Sequence, residues 1–276
     1  MEYAVFPGLI RYYDDLIKKN ENVCPIAHTY ISVHIGILID KNGNFLCAMR
    51  PEIRELVPVP CTIESETRTS NIAPHLLHDN LCYVANYSEK FKERHKAYVK
   101  QLENYVNNCQ DDLYANAILK YVLKDQLIDD IKEIIPEKPK IPEEKLNVVF
   151  AVYGMKNEGI DLKWTDYYTS TLKVNGLCYI TGNMDHIPKS YPKNILSTSG
   201  REALLFKGSH VGYIASQKII HTLQYLIYAK ESQEKTVAEY QLQRFFDGYI
   251  SEDELRDWIE KNYPVKWKGL EKIIFD

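Results

Sequence analysis

Between His28 and Ile39 the chain alternates with a period of two. Ile31, Val33, Ile35, Ile37 and Ile39 fall on one face, and Ser32, His34 and Gly36 fall on the other. That spacing predicts a half-buried β-strand, because successive side chains of a strand point to opposite faces. Asp40-Lys41-Asn42-Gly43-Asn44 follows directly, and its Asn-Gly pair is among the strongest short-range hairpin signals. Phe45 to Met49 then returns as the partner strand. Leu56 to Ile63 is a third candidate, placed at a sheet edge because Pro58 and Pro60 cannot donate to a ladder.

Helical spacing surrounds this hairpin. Leu9, Tyr12, Tyr13, Leu16 and Ile17 predict a helix over 7–20. Phe91, Tyr98, Leu102, Tyr105, Val106 and Cys109 form the stripe of a second helix over 89–109. Leu113, Ile118, Tyr121, Val122, Ile128, Ile131 and Ile135 form that of a third over 112–135. Residues 147–153 and 174–181 read as strands, and Ser216 to Lys230 as an amphipathic helix. The expected fold is α+β. A small antiparallel sheet packs with helices in an N-terminal lobe over 1–135, and a Pro-rich linker covers 136–145. A second, smaller α+β lobe spans 146–232, and a helical tail spans 233–276.

With 276 residues, 45% hydrophobic and 26% charged, the chain is long and apolar enough for one large core or two small ones. It contains no run of about 18 apolar residues, so no membrane-spanning helix is expected. The N-terminal stretch lacks the basic region of a secretory signal. The six cysteines (Cys24, Cys47, Cys61, Cys82, Cys109 and Cys178) are scattered without a C-x-x-C pair, which fits reduced, buried thiols in a cytoplasmic protein. The net charge of −4 is not that of a protein that wraps nucleic acid by its overall charge. It leaves a local basic patch or work inside a larger complex.

The densest polar segment is Arg68-Thr69-Ser70-Asn71-Ile72-Ala73-Pro74-His75-Leu76-Leu77-His78-Asp79-Asn80. Its hydroxyls, amides, imidazoles and guanidinium suit hydrogen bonds to phosphates and base edges. The same residue types also cap helices and satisfy turn backbone. His75-x-x-His78-Asp79 has a spacing compatible with metal ligation, but no cysteine pair accompanies it and a structural zinc site needs four ligands, so no metal or cofactor is expected. A second polar run contains Thr181-Gly182-Asn183, Lys189, Lys193, Ser197-Thr198-Ser199-Gly200-Arg201 and Lys207-Gly208. Small turn residues interleaved with cations are suited to phosphate contact, and are also ordinary solvated loops. Asp247 to Glu254 resembles half of a calcium loop, but Phe245 stands where an oxygen ligand is needed. Ser251 and Glu254 read better as a capping box. No G-x-S-x-G, H-E-x-x-H or phosphate-binding glycine loop occurs, and no enzyme or small-molecule substrate is expected.

Taken in order, several segments resemble the large subunit of the type I-C CRISPR interference complex. They are Arg11-Tyr12-Tyr13-Asp14-Asp15-Leu16, Pro25-Ile26-Ala27-His28, Asp40 to Leu46, Val57-Pro58-Val59-Pro60, the loop Arg68 to Asn80 running on to Tyr83-Val84, Cys178-Tyr179-Ile180-Thr181-Gly182 and Ser216-Gln217-Lys218. The resemblance covers about residues 1–230, with the middle stretch compressed, and the loop is its most specific part. It implies a protein that binds the crRNA 5′ handle and the protospacer-adjacent motif of target DNA beside other complex subunits, with base pairing reading the remaining sequence. On that resemblance Arg68, Thr69, Ser70, Asn71, His75, His78 and Asn80 are nucleic-acid contact candidates. Lys189, Lys193, Arg201 and Lys207 are second-rank phosphate contacts. Family members normally continue into a helical region that this chain lacks, and residues 233–276 match nothing in the family. The resemblance therefore also admits an alternative: a viral or mobile-element decoy that occupies the large-subunit position and inhibits immunity.

Overall fold

The computed structural model describes residues 5–51, 55–135, 141–155, 160–192, 206 and 208–231. The fold is α+β. Its described residues form two compact units that interleave along the chain. Within the described residues, one comprises 5–30, 58–75 and 161–231, and the other comprises 31–57 and 76–160. The sequence reading instead cuts the chain at 136–145. The observed division differs because a strand that follows that segment completes a sheet begun near residue 35.

The second unit is built on that sheet. Strands β1 (His28–Ser32), β2 (Ile35–Ile39), β3 (Phe45–Met49) and β4 (Leu56–Pro60) are followed by β5 (Asp79–Asn80) and β6 (Asn147–Val152). Four of them form the sheet in the order β3-β2-β6-β5. β2 is antiparallel to β3, with Ile37 opposite Ala48. It is parallel to β6, with Ile37 opposite Phe150. The sheet is therefore mixed rather than antiparallel. The single long strand expected over 28–39 is two strands, and all five residues of β2 are buried. A strand buried on both of its faces loses the polar face that alternation suggests. Burying Ile35, Ile37 and Ile39 completely contributes on the order of 2 kcal/mol each from the hydrophobic effect.

The hairpin at Asp40–Asn44 forms as expected. Gly43 sits at φ +73°, and the Asp40 carboxylate accepts from the Asn42 and Asn44 backbone N–H groups at 2.8 Å each. Helices α1 (Val5–Lys18), α4 (Lys92–Asn108), α5 (Leu113–Val122) and α6 (Leu127–Ile131) follow the expected stripes, with a break in the 112–135 stretch where Asp125 turns to φ +54°, while the one-turn helices α2 (Ile63–Glu66) and α3 (Leu81–Val84) carry no stripe named from sequence. In this unit tyrosine supplies both bulk and anchoring. Tyr98, Tyr105, Tyr114 and Tyr121 are buried. Their hydroxyls donate to the Leu77 carbonyl, the Asp112 carboxylate, the Phe150 carbonyl and the Asp130 carboxylate at 2.7–2.8 Å. A buried phenol needs such a partner.

The first unit is built on α1, α7 (Ile160–Thr171) and α8 (Tyr213–Glu231), with a short ribbon of β7 (Gly176–Leu177) and β8 (Met184–Asp185). Along α8, Ala215, Ile219 and Ile220 pack with Cys178, Phe206 and Val211, while Phe6, Leu9 and Ile10 of α1 close the cluster. Lys218 of α8 reaches Asp14 of α1 at 2.6 Å, and Thr222 donates to the Leu9 carbonyl at 3.1 Å. β1 and β4 pair in a two-stranded sheet, which accommodates Pro58 and Pro60 as expected of an edge strand. The chain crosses from one unit to the other within β1 and back within β4. None of the six cysteines is in a disulfide, and five of them are buried. No helix among the described residues is long and apolar enough to cross a membrane. The tail over 233–276, with its Ser251–Glu254 capping box, and the first part of the expected linker, 136–140, lie outside the described residues.

Candidate nucleic-acid interface

The loop that follows α2 is held at its base by several contacts within the first unit. Trp164 of α7 donates from Nε1 to the carbonyls of Ala27 (3.0 Å) and Cys61 (3.2 Å), which tie the start of β1 to the end of β4. Tyr168, one helical turn on, stacks against Trp164 with ring centroids 5.3 Å apart and accepts the Ile63 N–H at 2.8 Å. That fixes the N-terminus of α2. Thr62 and Ser65 then cap it reciprocally: Ser65 N donates to Thr62 Oγ1 at 3.1 Å, and Thr62 N donates to Ser65 Oγ at 2.9 Å.

Three further contacts shape the loop itself. The Thr67 hydroxyl donates to the Ile63 carbonyl at 2.8 Å. Arg68 Nη1 donates to the Ala73 carbonyl at 2.8 Å, bridging residues 69–72. His75 Nδ1 shares a 2.9 Å hydrogen bond with Ser65 Oγ, so the far end of the loop returns to the helix it left. What remains outside this framework is the tip. Thr69, Ser70, Asn71 and Ile72 are all exposed, and the one tip contact that joins two of them runs from Thr69 N to Asn71 Oδ1 at a long 3.3 Å.

The candidates named from sequence thus separate by role. Thr69, Ser70 and Asn71 present polar groups to solvent. Arg68 is half-buried and braces the loop. His75 and His78 are buried: His75 binds Ser65, and His78 Nδ1 accepts the Phe150 N–H of β6 at 3.2 Å. They belong to different compact units. The Asn80 side chain donates to Asn147 Oδ1 and, at 3.4 Å, to the Lys145 carbonyl, locking β5 beside β6. The imidazoles are therefore committed to internal packing, while the half-buried Asn80 is engaged in joining β5 to β6.

Lys189 is exposed, and its neighbour Ser190 shares a 3.2 Å hydrogen bond with Thr67, which brings the segment carrying Lys189 to the base of the loop. Tyr191 anchors that segment by donating to the Val211 carbonyl at 2.8 Å and packing on Phe206. Lys193, Arg201 and Lys207 lie outside the described residues. No group of three or more metal-ligating side chains occurs among the described residues.

Below the loop, the Glu66 carboxylate accepts from Gln217 Nε2 of α8 at 2.9 Å. Burial of the carboxyl pushes its pKa up to about 8, the Gln217 hydrogen bond offsetting only part of the desolvation. Burial and the neighbouring His28 push His221, on the same helix, down to about 3. Sequence reasoning missed these positioning groups. Trp164, Tyr168, Ser65 and Ser190 carry no motif. The Thr62-x-x-Ser65 cap uses serine where the familiar capping signature has glutamate or glutamine.

The kinship of this α+β chain is explicit. The model of the CRISPR-associated protein family Cas_Csd1 matches residues 9–205, well over half of the 276 residues. The chain belongs to that family. The matched range includes the stapled loop and every candidate named above except Lys207. No curated protein matches the chain.

Proposed function

We propose that this protein acts as a large-subunit-like component of a type I-C CRISPR ribonucleoprotein. It binds the crRNA 5′ handle, the protospacer-adjacent motif of target DNA, or both, and does so as a binding protein rather than an enzyme. The observation that carries the proposal is the loop at 67–75, which lies inside the family-matched range and holds three adjacent polar side chains in solvent on a braced base. A loop fixed at both ends presents Ser70 and Asn71 with little ordering cost, which favours directional hydrogen bonds to a groove or backbone. Lys189 adds a cation on the segment joined to the loop base, suited to a phosphate.

The test is co-expression of the tagged chain with type I-C backbone and crRNA-processing subunits that lack their own large subunit, followed by capture and motif-bearing DNA binding. Incorporation and DNA binding that fall tenfold or more in the Ser70→Ala, Asn71→Ala double variant support the reading. Because both residues are exposed, the melting curve should not move. Wild-type protein that captures neither subunits nor crRNA overturns it.

A further inference from the structure

The β7–β8 ribbon of the first unit displays a feature that the loop does not use. Tyr179 is 68% exposed and His210 is exposed, yet their rings lie in a parallel, offset stack, with centroids 5.1 Å apart and planes only 11° from parallel. The backbone fixes the pair, since Tyr179 N donates to the His210 carbonyl at 2.8 Å. The ribbon behind it is firm: Cys178 is fully buried, its N–H donates to the Asn183 carbonyl at 2.8 Å, and Gly182 N–H donates to the Cys178 carbonyl at 2.8 Å with Gly182 at φ +71°. Leu177 and Met184 are also exposed beside it.

Burial does not account for an aromatic pair held parallel in solvent, because each ring keeps apolar surface in water. The chemistry around it favours a polyanion. Residues 173–210 carry Lys173, Lys189, Lys193, Arg201 and Lys207 against Asp185 and Glu202, five positive charges less two negative for a net +3, in a chain whose formal charge is −4. Asp185 is itself engaged, accepting the His186 N–H at 2.7 Å.

We propose that Tyr179 and His210 form a stacking platform for an unpaired nucleobase, placed within the chain's locally basic segment. A base laid on the pair extends an existing two-ring stack. The contact is tolerant of base identity, because every base has a π face. This rests on the nucleic-acid-binding reading above and adds a site to it.

The experiment measures fluorescence anisotropy of a labelled 20-nucleotide single-stranded DNA, titrated with the full chain at low salt. The comparison set is wild type, Tyr179→Ala, Tyr179→Phe and the Ser70→Ala, Asn71→Ala loop variant. Roughly tenfold weaker binding by Tyr179→Ala, with Tyr179→Phe within about twofold of wild type and melting curves superimposed, supports the platform. A Tyr179→Trp variant whose emission is quenched by the DNA, and not by the same strand made abasic, supports it independently. Wild-type binding that Tyr179→Ala leaves unchanged while the loop variant weakens it overturns the platform alone. Unchanged DNA binding with loss of capture by Cas subunits also overturns it, marking a protein-docking surface instead. Wild type that binds no oligonucleotide, alone or with those subunits, overturns both the platform and the broader reading.

Discussion

Arg68 donates to the Ala73 carbonyl at 2.8 Å, closing a six-residue span whose exposed tip has little else to hold it. A hydrogen bond from a charged donor is worth about 1.5–3 kcal/mol when sheltered, and this guanidinium is only half-buried, so about 1 kcal/mol is the better expectation. Arg68→Ala should therefore lower the unfolding midpoint modestly while loosening the tip. Hydrogen exchange of the amides at 69–73 should quicken at least several-fold, with α7 and α8 unchanged. Exchange that stays at the wild-type rate would show that the tip is ordered by something other than this bond.

His75 carries more weight for the fold than for any ligand. It is 5% exposed and its Nδ1 meets Ser65 Oγ, the same oxygen that caps α2. Removing the imidazole leaves a hole beside the cap and takes away one hydrogen bond of Ser65 Oγ, which keeps its bond from the Thr62 N–H. The combined cost is about 2–4 kcal/mol. Urea unfolding of His75→Ala should show a lower midpoint at constant slope. A variant of wild-type stability that binds nucleic acid poorly would instead return His75 to the list of contacts.

Gly43 is required for two separate reasons. Its φ of +73° disfavours any residue with a side chain. A Cβ there would also lie 2.7 Å from the Tyr121 backbone nitrogen and 2.9 Å from the Ala117 carbonyl oxygen of α5. Those are backbone atoms that cannot swing away. Gly43→Ala should cost upwards of about 2 kcal/mol, from left-handed strain of about 1–2 kcal/mol plus displacement of the hairpin from α5. Gly182, at φ +71° with nothing within 4 Å of a Cβ, should cost only the strain. Thermal melts of the two alanine variants side by side test the difference, and equal losses would remove the packing argument.

The contrast between those glycines shows where sequence stops being informative. The Asn42-Gly43 hairpin was legible because turn chemistry is local, and so were the helical stripes of α4 and α5, which follow from a period of 3.6. The parallel partner of β2 was not legible. Ile37 meets Phe150 across more than a hundred residues of chain, and no local pattern encodes that choice. The same limit governs the loop. Arg68, Ser70, His75 and Asn80 are indistinguishable in type as polar loop residues. Only the fold reveals that His75 turns inward to Ser65 and Asn80 to Asn147, while Ser70 stays in solvent. The family resemblance was readable because motif order survives where partner choice does not.

Glu66 gives the first unit a pH dependence whose sign is opposite to that of an ordinary carboxylate. Its pKa is about 8 in the folded chain and near 4.5 when unfolded, chiefly because burial penalises the charged form. The folded state therefore binds the proton more tightly. Its contribution to stability is complete below about pH 4.5 and is lost as pH rises through about 8. The groups whose charges couple to it are Cys61, Tyr168 and Tyr213, with Gln217 bonded to it. Cys61, Tyr168 and Tyr213 are all pushed upward by burial, beyond this window. His221 works the other way, since its folded pKa of about 3 against 6.5 costs stability only as pH falls below about 6.5. Between pH 6.5 and 8 the Glu66 effect should therefore stand alone of these two, and the melting temperature should decline across that interval. Glu66→Gln keeps an amide in the carboxyl's place and removes the ionisation, so its melting temperature should stay nearly flat from pH 6.5 to 8 and exceed wild type at pH 8.5. Parallel profiles for the two proteins would mean that Glu66 reaches solvent and titrates normally.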